Sequence, residues 1–235
     1  MQKIVQFLNH SIDPIVEEAA CVITLDDKFH QKIYSIDFTT FAANHLIIQV
    51  SNHISVTVQL HYSDVFALRK KVSCHVGLGA QVIFDFTLEK CSFFMLSFDG
   101  FIAAQASLKV TGKVKLFADE KCALIMRQIH EARAGESNCA IKGLVTDQAR
   151  WWCENMILMQ PEAQLSRAEQ KTHILLLSPT ARVQTVPALE VLQHDVQCKH
   201  GSAVACIDDE QRFYLMSRGL LRMHAEELII QGFLG

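Results

Sequence analysis

Hydrophobic and polar residues alternate along most of this chain. Val56, Val58 and Leu60 alternate with Ser55, Thr57 and Gln59, Val72, Cys74 and Val76 with Ser73 and His75, and Val114 and Leu116 with Lys113 and Lys115. A period of two over strand-length segments predicts half-buried β-strands. Val82 to Leu88 is β-branched and aromatic, with apolar residues partly on both faces, and reads as a strand for that reason. A helical period is hard to find between about residue 45 and residue 205.

Turn formers next to alanine separate these segments: Gly79-Ala80-Gln81, Pro161-Glu162-Ala163-Gln164 and Pro179-Thr180-Ala181-Arg182. Short strands with small residues at the corners, spaced by roughly 20 residues, are the mark of a coiled parallel sheet, in which each rung buries its inward side chains on the next. The repeat is ragged, so periodicity alone fits a β-sandwich almost as well.

The pattern changes near the C-terminus. Asp208 is placed as an N-cap with Gln211 three residues on, Phe213, Leu215 and Met216 follow, and Gly219 is placed to end a helix. A second helix is predicted from about Leu221, with an apolar stripe of Leu221, Ala225, Leu228, Ile229 and Phe233 and with Arg222, Glu226 and Glu227 facing water. The resulting division is an N-terminal segment 1–44 of undefined structure, a strand-rich body 45–206 and a helical hairpin 207–235.

Composition narrows the function classes. The 235 residues are 50% hydrophobic, enough for a sizeable core. A net charge of -3 gives no basic excess that would favour nucleic acid or an anionic membrane. Met1 to Pro14 lacks the apolar core of a signal peptide, and apolar runs such as Ile174 to Leu177 are far too short to span a bilayer. The expectation is a cytoplasmic protein, or an organellar one. The 8 cysteines are scattered without a CxxC, which favours reduced thiols.

The chemistry concentrates in Asp195-Val196-Gln197-Cys198-Lys199-His200-Gly201. Residues i and i+2 of a strand share a face, so Cys198 and His200 project together and Lys199 projects the other way. Thiolate and imidazole are both good transition-metal ligands, but two ligands leave a tetrahedral site open. The competing reading is a small buried thiol and a turn-bonded imidazole. Other residues are weaker candidates. Cys153 and Cys206 read as packing, and His130-Glu131 as a solvated turn without a second histidine at metalloprotease spacing. Gly77-x-Gly79 reads as turn chemistry. Of Trp151-Trp152, one ring is expected in the core and the other at a covered edge. No P-loop is present in the sequence.

A set of pieces in fixed order then identifies a family. They are Asp147 with Ala149-Arg150, Ala163-Gln164, Leu175-Leu176-Leu177-Ser178, Thr185-x-Pro187-x-Leu189-Glu190, Asp195-Val196-x-Cys198-x-His200-Gly201 and Phe213-Tyr214-x-x-x-Ser217-Arg218-Gly219. From about residue 143 to 233 the chain resembles the core domain of the SufB/SufD family, scaffold proteins of the SUF iron–sulfur cluster assembly system. The Cys-x-His-Gly form resembles the SufD branch.

The resemblance implies an all-β, right-handed parallel β-helix core with a short C-terminal helical segment. It implies a scaffold that is not itself an enzyme. His200 and Cys198 would contribute ligands to a nascent, transient iron–sulfur cluster shared with a partner. The implied partners are a SufB-like homologue, met through the last β-helix rungs, and a SufC-like ABC-type ATPase, met through the C-terminal helices. A homodimer is the other arrangement, and no nucleic acid or membrane is expected. Compared with the family, the chain reads as shortened at both ends, which would weaken ATPase docking. It also departs from the family in having Ser202-Ala203-Val204-Ala205 after Gly201 and Ile174 before the leucine run. Two alternatives stand beside the scaffold. One is a carbohydrate-active β-helix enzyme, for which Asp85, Asp99 and Asp147 are the scattered acidic candidates. The other is a degenerate homologue that only binds a partner.

Overall fold

A computed structural model of the protein describes residue 7 and residues 20–37, 43–62 and 65–235. Apart from Phe7, the stretch Met1 to Pro14 lies outside the described residues.

The alternating segments form two parallel sheets of seven strands each. The first sheet, sheet A, holds β1 (Cys21–Leu25), β3 (His45–Val50), β5 (Val65–Val76), β7 (Cys91–Ile102), β9 (Lys121–His130), β11 (Arg150–Met159) and β13 (Arg182–Val191). The second, sheet B, holds β2 (Lys32–Asp37), β4 (Ser55–Tyr62), β6 (Gln81–Leu88), β8 (Ser107–Leu116), β10 (Glu136–Val145), β12 (Arg167–Leu176) and β14 (Gln197–Cys206). The chain changes sheet after every strand, and each strand pairs in parallel with the strand two places on. This is a parallel β-helix with two strands per rung, as the resemblance implies, and not a sandwich of antiparallel sheets. Strands begin at Cys21, so residues 21–37 supply β1 and β2 within the segment 1–44.

The interior explains the period-two pattern. On β6, Val82, Phe84, Phe86 and Leu88 are buried, and on β7 so are Phe94, Leu96 and Phe98. The rings of Phe84 and Phe98 meet across the core with centroids 4.5 Å apart. Some inward positions have no room for a side chain. A Cβ on Gly143 would lie 1.8 Å from Trp151 Cζ3, so the indole fills the volume above that glycine.

The corners are of two kinds. One column stacks Gln31, His53, Gly79, Gln105, Ala134 and Leu165, all in the left-handed region with φ between 56° and 62°. Each donates its N–H toward the following rung, for example His53 N to Leu78 O (2.8 Å), Gln105 N to Arg133 O (3.0 Å) and Ala134 N to Gln164 O (2.8 Å). A left-handed non-glycine residue costs about 1–2 kcal/mol, and the repeated inter-rung hydrogen bond offsets that cost. The opposite column uses Lys90, Ala118 and Asp147. Pro161 and Pro179 stand at different corners of one rung, one before β12 and one after it, so their spacing reports one side of a rung and not its full circuit.

The predicted helices form as α1 (Asp209–Ser217) and α2 (Arg222–Leu234). Asp208 caps α1, its carboxylate accepting from Glu210 N at 2.9 Å. Gly219 at φ 94° ends the turn after α1. Glu226 joins the helices by pairing with Arg212 (3.2 Å) and Arg222 (2.9 Å). The apolar stripe of α2 differs from the prediction. Ala225 is buried and Ile229 and Phe233 are half-buried, but Leu221 and Leu228 are exposed.

Candidate functional site: the open final rung

β13 and β14 are the last strands of their sheets, and no described strand covers them. Register places Cys198 over Ala168, His200 over Gln170, Ser202 over Thr172 and Val204 over Ile174. The four lower residues are buried inward side chains of β12. Their counterparts on β14 therefore project toward the same interior, from a rung with no lid. Ser202 Oγ donates to Thr185 Oγ1 across the sheets at 2.8 Å, which fixes this orientation.

Within that rung the two expected donors differ. Cys198 is half-buried against Ile157, Met159, Ala163 and Ala168, and burial pushes its thiol pKa up. His200 is exposed. Lys199 projects from the outer face beside Glu169, its neighbour in register. The same rung leaves large apolar side chains uncovered: Leu189 and Val191 on β13, Leu192 just beyond it and Val204 on β14. Among the described residues no group of three His, Cys, Asp or Glu side chains converges to hold a metal ion. Chemically, the rung offers one nitrogen donor and one sulfur donor beside an apolar, unpaired edge.

Two minor sequence readings are corrected. His130 is not in a solvated turn: it points into the core at the end of β9, its Nε2 2.7 Å from Ser137 Oγ, and burial lowers its pKa to about 4. Cys206 is exposed at the end of β14 instead of packed. Cys153 is buried as expected, and burial raises its thiol pKa to about 12. Trp151 fills the core, while Trp152 lies on the outer face of sheet A, covered edge-on by Phe7 with ring centroids 5.8 Å apart. Asp85 lies on sheet B, Asp99 pairs with Arg127 on sheet A at 3.1 Å, and Asp147 accepts from Ala118 N at a corner, so the three carboxylates form no cluster.

A polar lining beneath the open rung is absent from the sequence reading. Asn155 Nδ2 donates to Thr172 Oγ1 at 2.7 Å inside the helix. Gln128 and Gln170 are 2% and 1% exposed, and neither amide has a hydrogen-bond partner among the described residues. The signal was present in β12, where Gln170 and Thr172 occupy the inward phase of an otherwise apolar row.

Comparison with known proteins places these features in context. The family described as "SUF system FeS cluster assembly, SufBD core domain" matches residues 100–233. The iron–sulfur cluster assembly protein SufD of Escherichia coli is 38% identical over 92 residues, covering 39% of this chain and 22% of that protein. SufD of Bacillus subtilis is 35% identical over 106 residues, 45% of this chain and 24% of that protein. The chloroplastic protein ABCI7 of Arabidopsis thaliana is 38% identical over 71 residues, 30% of this chain and 15% of that protein. The chain thus aligns with a quarter or less of each of these relatives. No helix among the described residues is long and apolar enough to cross a membrane.

Proposed function

The chain belongs to the SufBD core family of the SUF iron–sulfur cluster assembly system, and from that premise we propose that it is a SufD-like scaffold without catalytic activity of its own. It acts in complex with a SufB-like homologue and a SufC-like ATPase. The observation that carries this reading is the open final rung, where His200 and Cys198 project from one face beside uncovered Leu189, Val191 and Val204. Burying that apolar edge against a homologous rung stabilises a heterodimer by about 25 cal/mol per Å² removed from water, before ordering costs.

The nascent cluster is cargo at this seam. His200 offers an imidazole nitrogen and Cys198 a sulfur, both suited to iron. Burial raises the Cys198 pKa, and because the thiolate is the ligand, binding iron releases the thiol proton. Two donors from this chain leave the remaining positions to cysteine and carboxylate groups of the partner. The hairpin 207–235 is the ATPase-facing element, with Phe213, Tyr214 and Met223 as exposed anchors.

The test is co-expression with SufB-like and SufC-like partners, then anaerobic reconstitution. His200→Ala leaves the heterodimer intact and sharply lowers iron and acid-labile sulfide per complex. Cys198→Ala has the same effect to the extent that the sulfur turns from the Ile157 and Met159 contacts toward the seam. Normal cluster occupancy in His200→Ala refutes the ligand role.

A further inference from the structure

Gln170 is 1% exposed, and neither its Oε1 nor its Nε2 has a hydrogen-bond partner among the described residues. A buried amide with both ends unmatched is rare, because each lost hydrogen bond leaves the full desolvation penalty in place. Something must be gained by keeping it. On the inner face of β12, Gln170 stands directly under His200 in the parallel register, with Cys139 directly beneath it. Neighbouring strands lie about 4.8 Å apart, so a long amide on one strand reaches a ring on the next by a change of side-chain rotamer. Cys139 is a buried thiol and a weak partner, so His200 is the polar group in this column that can satisfy the amide.

We propose that Gln170 is a positioning residue for His200: its Oε1 accepts from one ring N–H, which holds the ring in one tautomer and presents the other nitrogen to metal at the seam. The inference rests on the reading of His200 as a ligand. It adds the group that orients the ligand, a role that the second ring nitrogen of a metal-binding histidine usually requires. Gln128, the other unpartnered amide, lies on β9 in sheet A, two strand positions from the end of that sheet, and has no such histidine in its ladder. It serves as the internal control.

The experiment uses the full chain. Ring nitrogen chemical shifts of His200 are recorded with labelled histidine, and Co²⁺ alone is titrated as the metal probe. In the parent protein the two ring nitrogens should show one dominant tautomer. Gln170→Met, close in volume but unable to hydrogen-bond, should give mixed-tautomer shifts and weaken Co²⁺ binding by about tenfold, with the unfolding midpoint unchanged or higher. Gln170→Asn keeps an amide but retracts it by one carbon. It should reproduce the His200 effects, and it keeps the test decisive if the methionine variant fails to fold. Gln128→Met should leave the His200 signals untouched. Unchanged ring shifts in both Gln170 variants would overturn the proposal. The two readings fail separately: shifts that respond to Gln170 while His200→Ala retains cluster would remove the ligand role and leave the coupling, whereas the reverse result would leave the ligand role and remove the coupling.

Discussion

The early and late rungs of this β-helix are built on the same backbone and filled differently. Between β4 and β8 the interior is aliphatic and aromatic, from Val56, Val58 and Leu60 through Phe84, Phe86 and Phe98 to Val110 and Val114. At its start, Lys70 is a buried intruder whose Nζ donates to Ala43 O at 2.7 Å. From β9 onward the inward positions include Gln128, His130, Ser137, Asn155, Gln170 and Thr172. The difference separates two jobs. An apolar stack supplies burial that requires no partners, whereas polar residues stacked inside the coil need matched hydrogen bonds and hold particular geometries. The polar rungs lie next to the open rung that bears His200 and Cys198.

Substitutions on the two sides of this divide measure the contrast. The largest effect is expected from Phe84→Ala, which empties a fully buried ring site against Phe98 and should cost roughly 3–5 kcal/mol in urea unfolding. If it costs no more than a polar change in the late rungs, the contrast is broken.

The next is a pH effect from His130. Burial lowers its pKa from 6.5 to about 4, so the folded state resists a proton that the unfolded chain accepts. Its contribution is fully present above pH 6.5 and is lost as pH falls from there toward about 4, by about 3 kcal/mol in all. Unfolding free energies measured between pH 7 and pH 4 should fall along this slope, and His130→Gln should flatten it. An unchanged slope in the variant would assign the acid sensitivity to other groups.

Thr172→Val removes the acceptor of the Asn155 amide and should cost about 1–2 kcal/mol, visible as a lower urea midpoint. The smallest effect sharpens the comparison at a corner. Leu165, exposed and held at φ 61°, is the last member of the left-handed column. Leu165→Gly relieves its backbone strain and should raise stability by under about 1 kcal/mol, since the entropy of glycine in the unfolded chain offsets part of the gain. A loss of stability would mean that the Leu165 side chain contributes packing that its exposure does not suggest.

The sequence by itself determined the strands, the corners and the helical hairpin. Alternation is a local property: Val82, Phe84 and Phe86 point to one side whatever they meet, and Asp208 caps a helix by bonding a residue two places on. It also determined that Cys198 and His200 share a face, because a period of two needs only a continuous strand, and β14 runs on to Cys206. The choice between a sandwich and a coil belonged to the tertiary structure, since alternation is blind to which strand lies alongside. The same holds for His130, whose neighbours in sequence suggested a turn but whose partner Ser137 arrives from the facing sheet. It holds most of all for the site. Whether an inward-facing residue is core or surface depends on whether another rung lies above it, and β14 has none among the described residues, so Cys198 and His200 face an interior that no described rung closes.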